Sequence, residues 1–288
     1  MDGLLLDRFL MQVLNGITYA GLLFVIASGF TLTFGLMRVV NMSHGALYLL
    51  GAYLGYSIQR QADNWLLAIA VGTLGVGAAA LGMHWLVRRV QGDLPQTLLT
   101  LGAALFISDV CLWIWGGLPI TIKAPAELKI LVDLGVLQYP GFRLFVLLVG
   151  MVVGLALWII LFRTQLGRII RAGVDNSAMV SALGINIDLV FVLVFILGGL
   201  LVGFSGTIGG SYLAFGSGTD FDILTIALVV VIMGGMGSLG GSAVAALIVG
   251  LVDSLGRTYL AGASIFLLSG TLLLVLAFRP QGLFGRAQ

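Results

Sequence analysis

Residues 163–186 read Arg163-Thr-Gln-Leu-Gly-Arg-Ile-Ile-Arg-Ala-Gly-Val-Asp-Asn-Ser-Ala-Met-Val-Ser-Ala-Leu-Gly-Ile-Asn186. This polar to amphipathic insert, 163–188 in full, lies between two uncharged apolar runs, 144–162 and 189–212. Each run is close to the ~20 residues a helix needs to cross a ~30 Å hydrocarbon core. Within the insert, Asp175, Asn176 and Ser177 are residue types that cap helix N-termini, because a short side-chain oxygen accepts a free first-turn N–H. Ala178, Met179, Ala182 and Leu183 then form a narrow apolar stripe, and Gly184 fits a left-handed stop. A helix this short does not hold its shape alone in water. It must dock, either flat on the lipid interface or in the groove of a soluble partner.

Working outward, charges and turn residues cut the chain into nine apolar segments: 9–35, 46–57, 65–87, 96–115, 144–162, 189–212, 223–233, 242–252 and 263–278. The expected fold is an all-α polytopic membrane protein, a single domain over 1–288, with about 8–9 transmembrane helices. Three segments are short, 46–57, 223–233 and 242–252, and each abuts glycine or polar residues. That pattern predicts broken helices around a central path, the alternative being ordinary spans with weak ends. Residues 116–141 are the longest polar stretch, and 253–262 read as a loop. Asp2, Asp7 and Arg8 give no positive leader region, so the first segment is expected to stay as an uncleaved span.

Composition supports the same frame. Of 288 residues, 60% are hydrophobic and 9% charged, against about 45–50% and about 25% in soluble domains. There is too little polar surface for an ordinary soluble enzyme, a disordered chain or a nucleic-acid binder. Fourteen Lys+Arg against 12 Asp+Glu leave no basic face. Cys111 is the one cysteine, which excludes an intrachain disulfide framework and a Cys-rich zinc site, and no metal site is expected. Lys123 and Lys129 are the only lysines, and no G-x-x-x-x-G-K-[ST] is present, so this chain is expected to bind no ATP and no other cofactor. No nucleophile–base set points to catalysis. Gly235-Met-Gly-Ser-Leu-Gly240 fits G-x-G-x-x-G, but its flanks are membrane-like and the next acid is Asp253, so it reads as a packing turn.

Polar residues within or beside apolar segments mark candidate sites, since an Asp at a span centre costs roughly 2.5–3.5 kcal/mol. Asp109 is expected to face the bundle interior. His44, beside Asn41 and Ser43, either lines a path or caps a helix. Asp220 and Asp222 either cap segment 223–233 or line the path, and His84 is expected at the membrane interface. If 163–188 is cytoplasmic, parity puts Arg38, Arg88, Arg89, Arg163, Arg168, Arg171, Arg279 and Arg286 inside, and a C-terminus on the same side.

Four stretches together resemble the LivH-type inner-membrane permease subunits of bacterial branched-chain amino acid ABC transporters. They are Gly35-Leu-Met-Arg-Val-Val-Asn-Met-Ser-His-Gly-Ala-Leu-Tyr-Leu-Leu-Gly-Ala-Tyr53; Thr164-Gln-Leu-Gly-Arg-Ile-Ile-Arg-Ala172 with Ala182-Leu-Gly-Ile-Asn186; Gly234-Gly-Met-Gly-Ser-Leu-Gly-Gly241; and Arg279-Pro-Gln-Gly-Leu-Phe-Gly285. The resemblance implies an importer for branched-chain amino acids or a related small solute in the bacterial inner membrane. Its partners would be two ABC ATPase subunits, a second permease subunit of different or identical sequence, an external solute-binding protein and the lipid bilayer. It also implies that 163–188 is a cytoplasmic coupling loop whose contacts come from Gly167, Arg168, Arg171, Asp175, Asn176, Met179, Ala182, Leu183 and Gly184. The path would run by Asn41, Ser43, His44, Gly45, Asp220, Gly235 and Gly237. An ion-coupled secondary transporter is the alternative; it would work without ATPases. A channel or a membrane enzyme fits the residues less well.

Overall fold

The computed structural model describes residues 2–37, 40–133, 135, 137–260 and 264–285. Its helices are α1 (Asp2–Met37), α2 (His44–Ala62), α3 (Trp65–Val87), α4 (Asp93–Trp115), α5 (Gly141–Arg163), α6 (Gln165–Ala182), α7 (Ile187–Tyr212), α8 (Thr219–Gly234), α9 (Leu239–Tyr259) and α10 (Ser264–Phe278). Over its described residues every apolar segment lies within a helix, and α6 is the insert between two of them. Among the described residues six helices, α1, α3, α4, α5, α7 and α9, are long and apolar enough to cross a membrane. The polypeptide is an all-α polytopic membrane protein with one small addition, a hairpin of β1 (Leu131–Asp133) and β2 (Gln138–Pro140) that pairs Val132 with Tyr139.

Two of the three short segments are longer than expected. Segment 46–57 becomes the 19-residue α2, and 242–252 becomes the 21-residue α9. The polar residues after Val252 do not break α9, because each finds a partner on or beside the helix. Asp253 pairs with Arg257 one turn on, at 2.8 Å, and Ser254 Oγ donates to the Gln12 carbonyl of α1 at 2.8 Å. Segment 223–233 stays short as the 16-residue α8, about 24 Å at 1.5 Å per residue.

The helices pair reciprocally between the two halves of the chain: α1 packs on α9, α3 on α7, and α2 on α8. Close approach depends on missing side chains at a few crossings. A Cβ on Gly51 of α2 would lie 2.9 Å from Gly203 Cα of α7, and one on Gly150 of α5 would lie 2.8 Å from Gly21 Cα of α1. Glycine seams of this kind let backbones touch where lipid supplies no hydrophobic drive between helices. Residues 22–33 of α1 are buried along their whole length. By contrast, α5 turns Leu148, Met151, Val152, Leu155 and Phe162 outward, an apolar face suited to lipid.

Candidate coupling helix and translocation face

At the end of α5 the chain reverses. Thr164 takes extended geometry, and its Oγ1 accepts the Gly167 N–H at 3.1 Å, capping α6. A Cβ on Gly167 would run into the carbonyls of Ile160 and Leu161, so glycine is what allows the tight fold-back. Ile170 is buried in one apolar cluster with Leu161 of α5, Leu32 of α1 and Val190 of α7, and α6 packs on all three helices near the C-terminal end of α1. Arg168 is exposed, and the Arg171 guanidinium sits 4.6 Å from the centre of the Phe162 ring.

Asn176 leaves helical geometry (φ −158°, ψ 96°), and its side chain accepts the Met179 N–H at 3.0 Å. It is therefore the N-cap of a second, short helix, as its residue type predicts. That helix closes at Gly184, whose φ is +81° and whose N–H donates to the Ser181 carbonyl at 3.0 Å. Val180 is buried, while Ala182 is exposed and Met179 and Leu183 are 65% and 76% exposed. Asp175 is exposed just before the kink. The helical stretch 165–175 extends beyond the short helix expected after Asp175–Ser177, and Gly167 and Gly173 within it are both buried.

Five of the expected path residues meet in one cluster. Asn41 Oδ1 accepts from the Ser43 N–H (3.1 Å) and hydroxyl (2.6 Å), shaping the entry into α2. His44, 2% exposed, bonds the Ile26 carbonyl of α1 through Nε2 at 2.9 Å and meets Phe30 edge-on at 5.2 Å. A carbonyl only accepts, so Nε2 carries the proton. Gly45 lies directly on the Asp220 backbone, with no room for a Cβ. The Asp220 carboxylate is buried and accepts from Ser108 Oγ of α4 at 2.6 Å. The N-terminal turns of α2 and α8 thus lie across each other.

Gly235 and Gly237 are elsewhere, at the far end of α8, with φ of +97° and +82°. The chain ending folds onto that turn: Leu283 N–H donates to the Met233 carbonyl at 2.8 Å and Phe284 N–H to that of Gly234 at 3.1 Å. Gly237 faces Gly35 at the C-terminal end of α1, so the chain ending and α6 share one end of the bundle.

One expectation is corrected. Asp109 faces outward and is exposed, because Ser108 takes the inward position that meets Asp220. His84, in the last turn of α3, is turned toward α7, where it is 5% exposed and edge-on to Phe195 at 5.5 Å. Arg38 and Arg286, placed inside by parity, lie outside the described residues. On α8, Phe221, Asp222 and Thr225 are exposed as well. An acidic side chain on a membrane-spanning helix belongs against protein or water, not against lipid.

A profile of the family described as branched-chain amino acid transport system / permease component matches residues 12–277. The high-affinity branched-chain amino acid transport system permease protein LivH of Salmonella typhimurium is 26% identical over 304 residues, covering 97% of this chain and 96% of that protein. BraD of Pseudomonas aeruginosa, a permease protein described in the same words, is 26% identical over 309 residues, covering 98% and 97%. The ribose import permease protein RbsC of Escherichia coli is 30% identical over 237 residues, covering 80% and 73%. No solved structure matches. A match running through almost every helix described above shows that the chain is a membrane permease subunit, not an enzyme, and belongs to the branched-chain amino acid transport permease family.

Proposed function

We propose that this chain is a single transmembrane domain, 1–288, of an ATP-driven importer for branched-chain amino acids or a related small solute. Two ATPase subunits and a second permease subunit complete the assembly, and an external binding protein delivers the solute. The observation that carries this reading is the short helix after Asn176. It is capped at both ends, anchored by Val180, and turns Met179, Ala182 and Leu183 outward. A helix of that length keeps a set shape only when docked, and an ATPase groove supplies the dock. Gly167, Arg168, Arg171 and Asp175 hold and flank it, and ATP stays on the ATPases.

All nine apolar helices enter the membrane in this reading. The end shared by α6 and the chain ending is cytoplasmic. The path follows the outward face of α4, where Asp109 meets water and the second permease chain. Asn41, Ser43, His44, Gly45 and Asp220 fix the crossed helix starts behind it. Gly235 and Gly237 form its cytoplasmic turn. Proteoliposomes containing the assembled complex test the reading: L-leucine uptake should need hydrolysable ATP. Uptake driven by an ion gradient without ATPases would refute it in favour of a secondary transporter.

A further inference from the structure

At the end of the bundle opposite α6, α1, the first turn of α5 and the last turns of α7 and α9 enclose a cleft of about 210 Å³. Arg143 lies 20 residues before Arg163 on α5, about 30 Å along the helix from the coupling loop. It is half-buried, Nη1 donates to Asn15 Oδ1, and its guanidinium sits 5.8 Å from the centre of the Tyr212 ring. Asn15 Oδ1 also accepts from Tyr139 OH at 3.1 Å, so the acceptor that holds Arg143 is itself held. No carboxylate pairs with Arg143 among the described residues.

Across the cleft, Asp253 is 8% exposed and takes Arg257 Nε on both oxygens, at 2.9 and 2.8 Å. Leu213 and the Tyr19 and Tyr212 rings supply the apolar wall. A half-buried guanidinium without a counter-charge is costly unless an anion meets it, and its fork matches a carboxylate. Asp253, held by Arg257, lines the same cleft, so a guest on the Arg143 guanidinium also meets a carboxylate. The cleft presents both signs and a small apolar wall.

We infer that this cleft is an outer holding site for a zwitterionic amino acid, with its carboxylate on Arg143, its ammonium on Asp253 and its side chain against Leu213. The solute's identity rests on the importer reading above. The test is equilibrium binding of radiolabelled L-leucine to the purified complex in nanodiscs without binding protein. Arg143→Gln is expected to weaken binding at least tenfold, and Leu213→Trp, which fills the cleft without touching its charges, to do the same. Arg143→Lys should recover part of the loss. L-leucinamide and 4-methylpentanoate, each lacking one charge, should compete at least tenfold less well than leucine. The inference is overturned if the wild type binds no leucine, if both variants bind it as the wild type does, or if leucinamide competes equally. ATP-driven uptake on the same samples separates the two readings. Uptake with unaltered Arg143→Gln binding removes the cleft alone, whereas Arg143-dependent binding without uptake removes the importer reading alone.

Discussion

Replacing Gly45 with alanine probes the crossing of α2 and α8, on which the placement of Asp220 depends. The added methyl would fall on the Asp220 carbonyl oxygen, with Asp220 C at 2.9 Å and Leu224 Cβ at 3.0 Å. The first two atoms are backbone, so no rotamer change relieves the overlap. The helices must part by about 1 Å, and a gap of that size forfeits roughly a quarter to a half of each dispersion contact across it. Overpacking costs about 1–3 kcal/mol, and a rigid backbone neighbour puts this site near the upper end. Helix propensity works the other way, favouring alanine over glycine by about 1 kcal/mol, so the net loss should be about 1–2 kcal/mol. Gly82 of α3 is the matched control, since nothing lies within 4 Å of its Cβ position. Thermal unfolding of the purified complex in detergent is the assay. Gly45→Ala should melt lower than wild type and lose uptake, while Gly82→Ala should melt at or slightly above wild type. Equal melting temperatures for the two variants would refute the crossing.

Other substitutions probe the remaining features. Asn176→Ala removes the bond to Met179 N–H (3.0 Å) and should cost about 1 kcal/mol of coupling-helix stability; co-purification with the ATPases should fall roughly fivefold and Asn176→Asp should restore it. Ser108→Ala leaves the buried Asp220 carboxylate without its 2.6 Å donor and should lower stability by about 1.5–3 kcal/mol, read as a reduced melting temperature. Asp109→Leu separates a path-facing from a lipid-facing α4. On the path, uptake falls while the protein still accumulates in the membrane; against lipid, uptake is unchanged and stability rises.

The helix order was legible because apolar runs and polar breaks follow from membrane thickness. The short helix after the kink was legible to within a residue, since Asn176, one of three cap types in a row, and Gly184 carry their end roles in their own chemistry. What escaped depended on partners far away in the chain. Residues 253–259 look like a loop until Asp253 meets Arg257 and Ser254 meets Gln12, 242 positions earlier. Asp109 was expected inside because acids in spans seek donors, but its neighbour Ser108 holds the inward position. The outer cleft left no motif at all: Asn15 and Arg143 are 128 positions apart, and only the packing of α1 on α5 joins them.

The most direct test is cross-linking from the coupling helix in the assembled transporter. Cys111 is fully buried, so a cysteine introduced at Leu183 is the accessible thiol on this chain. Leu183→Cys should cross-link to an ATPase subunit, with the yield changing on ATP addition. A cysteine at Leu155, on the lipid-suited face of α5, should give no such product. Cross-linking from Leu155 but not from Leu183, or from neither, would contradict the assignment of this helix as the contact that couples ATP hydrolysis to transport.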